Sequence, residues 1–87
     1  MAGVVYLVLA MRRAEFNAAA VQPHIAFLDA LRAEGKLQLT GGFSDGSGGA
    51  YVLCNVASID EARAIVARDP LVTLQSSDLT VHEWTTR

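Results

Sequence analysis

From Val4 to Leu9 every position is apolar, so both faces of an alternating strand are filled: Val5, Leu7 and Leu9 on one side, Val4, Tyr6 and Val8 on the other. The pattern predicts a strand covered on both faces. From Met11 to Ala20 the residues Arg12, Arg13, Glu15 and Asn17 interrupt it, which reads as a connection running into a helix. Val21, Ile25, Leu28 and Leu31 then recur near helical spacing, with Pro23 in the first turn and Gly35 placed to end a helix over Val21 to Ala33. Leu37 and Leu39, and then Tyr51 to Val56, have strand character. The glycine-dense segment from Gly41 to Gly49 between them reads as the turn of a long hairpin. A second helix is expected from Ser58, where Ser58 and Glu61 match a capping box and Ala62, Ile65 and Val66 supply the apolar stripe. Pro70 limits that helix and pushes Asp69 to or just past its last turn. The last strand is read as Leu79 to Trp84.

The order strand, helix, strand, strand, helix, strand is the split βαβ, ferredoxin-like plan: α+β, with two helices on one face of a four-stranded antiparallel sheet. The other face is left bare. With the first strand apolar on both sides, and with Val52, Cys54 and Val56 opposed to Tyr51 and Leu53 on the third, that face exposes an apolar patch in a monomer. A homodimer joined through the sheet face is expected.

Composition agrees. The 87 residues allow one domain, 1–87, and hydrophobic residues make up 52% against 18% charged, more than a lone small domain readily hides. The longest apolar run, Val4 to Ala10, is far shorter than the roughly 20 residues of a membrane-spanning helix, so no membrane partner is expected. A net charge of −2 without clustered Lys or Arg argues against nucleic acid. Tyr51 to Val56 (YVLCNV) also lacks the basic-aromatic signature of an RNA-recognition strand. The chain shows neither the basic leader nor the cleavage site of a secretory signal, and one cysteine cannot form an internal disulfide. A soluble, cytoplasmic protein is expected.

Among candidate chemical groups, His24 stands out because Phe27, Leu28 and Leu31 follow it at offsets of three, four and seven, which puts it on the inward stripe of the first helix. Asp69 follows Ala62, Ile65 and Val66 on the inward side of the second. The two helices lie side by side, so the imidazole and carboxylate can meet. Such a pair serves general acid–base chemistry, or equally a core histidine satisfied by a structural carboxylate, or Asp69 only caps a turn before Pro70. Arg12 or Arg13 offers a guanidinium fork for an anionic or phenolate group, and Tyr6 or Trp84 a wall for an aromatic ligand. Asp45 to Gly49 (DGSGG) leads into a strand rather than a helix and reads as a hairpin turn, not a phosphate loop. Cys54 is read as a buried small hydrophobe in mid-strand. His82, without a second spaced ligand, makes no metal site; no metal and no cofactor are expected.

The combination of Pro23 and His24 in a helix that runs into Leu31 to Leu37 (LRAEGKL), then Gly41, Ser58 to Ala62 (SIDEA) and Asp69-Pro70-Leu71, resembles the YCII-related (YciI-like) family over nearly the whole chain. That resemblance implies a dimeric ferredoxin-like α/β barrel with a histidine–aspartate catalytic dyad, here His24 and Asp69. One branch of the family performs a dehydrochlorinase step on a hydroxylated aromatic. Two departures stand out. Val21 and Ala20 occupy positions where many relatives carry an arginine, and Val72 to Asp78 lacks a glycine common after the Asp-Pro pair. The expected function is a small cofactor-independent lyase or isomerase acting on a small, unsaturated or aromatic molecule, with Arg13, Tyr6 and Gly41 as substrate contacts. The alternative is a non-catalytic ligand-binding or assembly domain.

Overall fold

The structure, a computed structural model, describes residues 3–87. Strand β1 (Gly3–Arg12) leads through a 3-10 turn at Ala18–Ala20 into helix α1 (Val21–Ala33), then β2 (Leu37–Gly42), β3 (Gly48–Leu53), α2 (Ile59–Val66), the one-turn α3 (Pro70–Thr73) and β4 (Ser77–Thr86). The sheet order is β2-β3-β1-β4, antiparallel throughout. This is the ferredoxin-like α+β plan of the dimeric α/β barrels. Among the described residues no helix is long and apolar enough to cross a membrane.

The pleat divides the sheet as the sequence pattern requires. Tyr6 and Val8 of β1 stand beside Leu53 and Tyr51 of β3 on the helix side, where Leu28 and Leu31 of α1 and Ala62, Ile65 and Val66 of α2 close over them. Each fully buried Leu or Val in this layer contributes about 1.5–3 kcal/mol. The opposite face carries half-buried Val5, Leu7 and Leu9, and beside them Leu39 and Trp84, which are 66% and 47% exposed.

Helix starts are set locally. Ser58 Oγ accepts from Glu61 N at 3.1 Å, and Glu61 accepts from Ala57 N at 2.9 Å, so the expected capping box forms with its return bond one residue early, on Ala57 rather than on Ser58. Asn17 caps the 3-10 turn through Ala19 N. Gly35, at φ 74, turns the chain out of α1 and into β2.

Several bounds differ from the sequence reading. Met11 and Arg12 continue β1 because the neighbouring strands run on beside them, pairing Met11 with Gly48 and Arg12 with Ser77. β3 begins at Gly48, inside the presumed turn, and stops at Leu53, since Asn55 adopts φ 55. Cys54 therefore lies just past the strand, half-buried, with its thiol directed at Gly35 O (3.4 Å), rather than in mid-strand. β4 is also longer than Leu79 to Trp84. The largest correction is at Pro70, which opens a further helical turn instead of only ending α2.

Glycine is required in β3. A Cβ at Gly48 would lie 2.1 Å from Ala10 O, and one at Gly49 would lie 2.5 Å from Gly41 O, both backbone atoms that cannot step aside. At Gly41 nothing lies within 4 Å. Gly48→Ala should therefore cost about 1–3 kcal/mol in urea unfolding, while Gly41→Ala should stay within about 0.5 kcal/mol of the parent. Equal stabilities would refute the close approach.

Candidate active site

On the helix side, neighbouring positions of the three adjacent strands are Ala10, Gly49 and Gly42. No side chain larger than a methyl rises from that row. The first turns of α1 pass above it and cannot descend, because Leu28 and Leu31 already rest on the core at the next row. What remains is a cavity of about 330 Å³. Val21, His24, Ile25 and Leu28 form its roof, with Phe16 and Leu71 at one end. Ile25, expected in the core, is 43% exposed for this reason.

His24 reaches this cavity with its ring largely covered, the side chain being 17% exposed. Its Nδ1 lies 2.9 Å from Asp69 Oδ1. The same oxygen accepts Leu71 N–H at 2.8 Å, and Oδ2 accepts the Tyr51 hydroxyl at 2.8 Å. Three donors thus converge on a carboxylate that is 0% exposed. A carboxylate only accepts, so Nδ1 carries the hydrogen and donates it, and in the neutral tautomer that fits this contact the free lone pair is on Nε2. The imidazole and the Tyr51 ring lean together with centroids 5.9 Å apart.

Asp69 is placed by a device that merges two of the alternatives open from sequence. It is the N-cap of α3, with Pro70 at the first helical position, and its side chain caps Leu71 N as such a residue should. The capping carboxylate has lone pairs to spare and spends them on His24 and Tyr51. The sequence pattern gives Tyr51 only as a residue of the third strand. Its one available signal was that a buried tyrosine hydroxyl requires a partner. Burial first, and then the adjacent Asp69 carboxylate and their hydrogen bond, push the Tyr51 phenol far above its ordinary range.

The remaining candidates divide. Gly41 borders the cavity. Tyr6 does not, being buried in the main core beside Leu53. Arg13 points away toward Asp78 (3.8 Å) and Gln75 O (3.5 Å) because it lies past the end of β1, whereas Arg12, still on the helix side of the strand, borders the cavity. Trp84 and His82 lie on the open sheet face, where His82 Nε2 meets Thr80 Oγ1 at 3.0 Å. Among the described residues no three His, Cys, Asp or Glu side chains gather as a metal ion would require.

Fold and site together define a ferredoxin-like domain in which a carboxylate-held histidine faces a small cavity between sheet and helix. The chain belongs to the YCII-related domain family, whose model matches residues 4–85. It is 49% identical over 79 residues to YjpA, an uncharacterized protein of Bacillus subtilis (strain 168), covering 91% of this chain and 92% of that one. Among solved structures, 5-chloro-2-hydroxyhydroquinone dehydrochlorinase (TftG) from Burkholderia phenoliruptrix AC1100, in complex with 2,5-dihydroxybenzoquinone, superposes with a TM-score of 0.71 at 21% identity, over 92% of both chains. The hydroxynitrile lyase of Passiflora edulis gives a TM-score of 0.53 at 13% identity, over 97% of this chain and 93% of its own. At these identities the two structures share the fold.

The Tyr51 environment has a consequence at high pH. Because its folded pKa is raised, unfolded Tyr51 ionises first, and stability present below pH 10 is lost as pH rises beyond it, at up to about 1.4 kcal/mol per pH unit for this one group. Urea unfolding followed from pH 9 to 11.5 should show that decline in the parent and a shallower one in Tyr51→Phe. Identical slopes would remove the buried phenol–carboxylate contact from the account.

Proposed function

We propose that the protein is a cofactor-independent enzyme of lyase or isomerase type in which His24 is the general base and Asp69 its positioning partner. The observation that carries this reading is the pairing of His24 Nδ1 with a fully buried Asp69 in a ring that borders a cavity. With Nδ1 occupied, the basic nitrogen left to the cavity is Nε2. In an elimination it takes a proton from an acidic carbon, and the C–H electron pair becomes the new double bond. The leaving group departs with its own pair, and the imidazolium can return the proton. Asp69 stabilises the imidazolium formed in between, and Tyr51 and Leu71 N–H prevent the carboxylate from turning away. The dehydrochlorinase and lyase named for the structural relatives support this class of chemistry.

The subunit proposed to do this is half of a homodimer. Leu7, Leu9, Val52, Leu39 and Trp84 share the open sheet face, and a second copy placed on it covers them all. Light scattering at micromolar concentration should give twice the 9.3 kDa chain mass. Leu7→Lys, at the middle of the patch, should return a folded monomer; a parent that is already monomeric would rule out the dimer.

Chloride release from chlorinated hydroxyhydroquinones, followed with a panel of halogenated and unsaturated phenolic acids, tests the catalytic reading. His24→Ala should lower turnover by about a hundredfold or more with an unchanged circular dichroism spectrum. Asp69→Asn should lower kcat with a smaller effect on KM. A His24→Ala variant as active as the parent, or the absence of turnover across the panel, would favour the rival reading, a binding or assembly domain in which the pair is structural.

A further inference from the structure

Of the charged groups that border the cavity and that the base does not use, Arg12, Asp29 and Arg32, the first is set on an aromatic ring. Arg12 ends the helix-side row Tyr6, Val8, Ala10 of β1, and it stands where Phe16 and Leu71 close the cavity. Its guanidinium carbon is 4.2 Å from the Phe16 ring centroid, within cation–π range. The platform beneath it is fixed. Phe16 packs on Ala10, Ala20 and Leu71, and the loop that carries it is tied to buried Ser76 by Asn17 N to Ser76 Oγ (2.9 Å) and Ser76 Oγ to Asn17 O (3.0 Å).

The two adjacent arginines differ in how their charge is met. Arg13 has Asp78, whereas Arg12 has no ion-pair partner among the described residues. Arg32 also borders the cavity without an ion-pair partner among those residues, but it lies at the far end of α1, on no aromatic platform, and Asp29, three residues before it, brings a negative charge to the same stretch of wall. The cavity therefore presents an apolar body, the His24 imidazole and, at Arg12, a planar cation without an ion-pair partner among the described residues that is held against an aromatic ring. A guanidinium so held offers its donors as a fork that matches a carboxylate.

We infer that Arg12 is the specificity-determining anchor of this site and that its ligand is a small aromatic or unsaturated carboxylate. The carboxylate sits on the Arg12 fork and the ring lies in the apolar body of the cavity, with the acidic position toward His24. A cation in the same cavity as the base also favours the anion that proton removal creates. The assignment rests on the proposed use of the cavity as a substrate site, and it adds which charge the substrate carries and which residue selects it.

Binding rather than turnover tests it, with salicylate and its neutral isostere salicylamide as probes in calorimetry and in ¹H–¹⁵N titrations. Salicylate should bind the parent at least about tenfold more tightly than salicylamide, shift the Arg12 Nε–H and the amides of Phe16 and His24, and weaken with added salt. Arg12→Gln should abolish that preference and leave salicylamide unchanged, Arg12→Lys should restore part of it, and Arg13→Gln should behave as the parent. Equal affinity for the two probes, full salicylate affinity in Arg12→Gln, or no salicylate binding at millimolar concentration would each overturn the anchor. The two proposals fail separately. Arg12-dependent binding in a protein whose His24→Ala variant retains full turnover keeps the anchor and removes the base, and His24-dependent turnover unaffected by Arg12→Gln does the reverse.

Discussion

A carboxylate with no access to water must be met by donors, and Asp69 is the point at which this protein meets that requirement. Burying it without partners would cost several kcal/mol, and each charge-assisted hydrogen bond returns about 1.5–3 kcal/mol. Its three donors come from three elements: His24 of α1, Tyr51 of β3 and Leu71 of α3. The connection between α2 and β4, the middle of the sheet and the first turns of α1 are thereby fixed relative to one another. Packing alone would hold the helices on the sheet, but it would not hold an imidazole nitrogen at a chosen height above it.

The cavity depends on the opposite condition, an absence of side chains. Ala10, Gly49 and Gly42 leave the sheet bare under α1, while the row beside it, Val8 and Tyr51, is filled and carries the helix. Gly49 is also required by the backbone itself, since a Cβ there meets the Gly41 carbonyl oxygen of the adjoining strand. One local feature thus serves both strand contact and ligand space. A larger residue at position 49 could not fill the cavity without first separating β2 from β3.

How much of this the sequence discloses follows from the range over which each signal acts. The element order, the faces of β1, the capping box at Ser58 and the inward position of His24 are carried by residues within one or two turns of one another, and all are legible. Pro70 is also local, but it supports two readings, a stop for α2 or the first residue of a new helix, and the second makes Asp69 an N-cap. Gly48 and Gly49 resemble turn residues because a close approach of strands leaves no trace in sequence beyond the missing Cβ. Tyr51 was beyond reach for a different reason. Its partner is 18 residues away on another layer, and only the register of β3 against β1 determines that its hydroxyl arrives at Asp69.

The same distinction explains why Arg12 and Arg13 could not be separated in advance. Adjacent in sequence and alike in chemistry, they diverge because β1 runs to residue 12 and stops there. One residue of strand decides that Arg12 keeps the helix-side direction of Ala10 and reaches Phe16, whereas Arg13, after the pleat ends, turns toward Asp78. The length of β1 is in turn set by its partners, Gly48 and Ser77, so the strand that lends Gly49 to the cavity floor also helps hold β1 extended toward its cation. Cavity and cation therefore follow from one packing arrangement of the sheet. A change that shortens the β1 ladder by a residue would release the cation from the cavity while leaving the Asp69 hydrogen bonds intact.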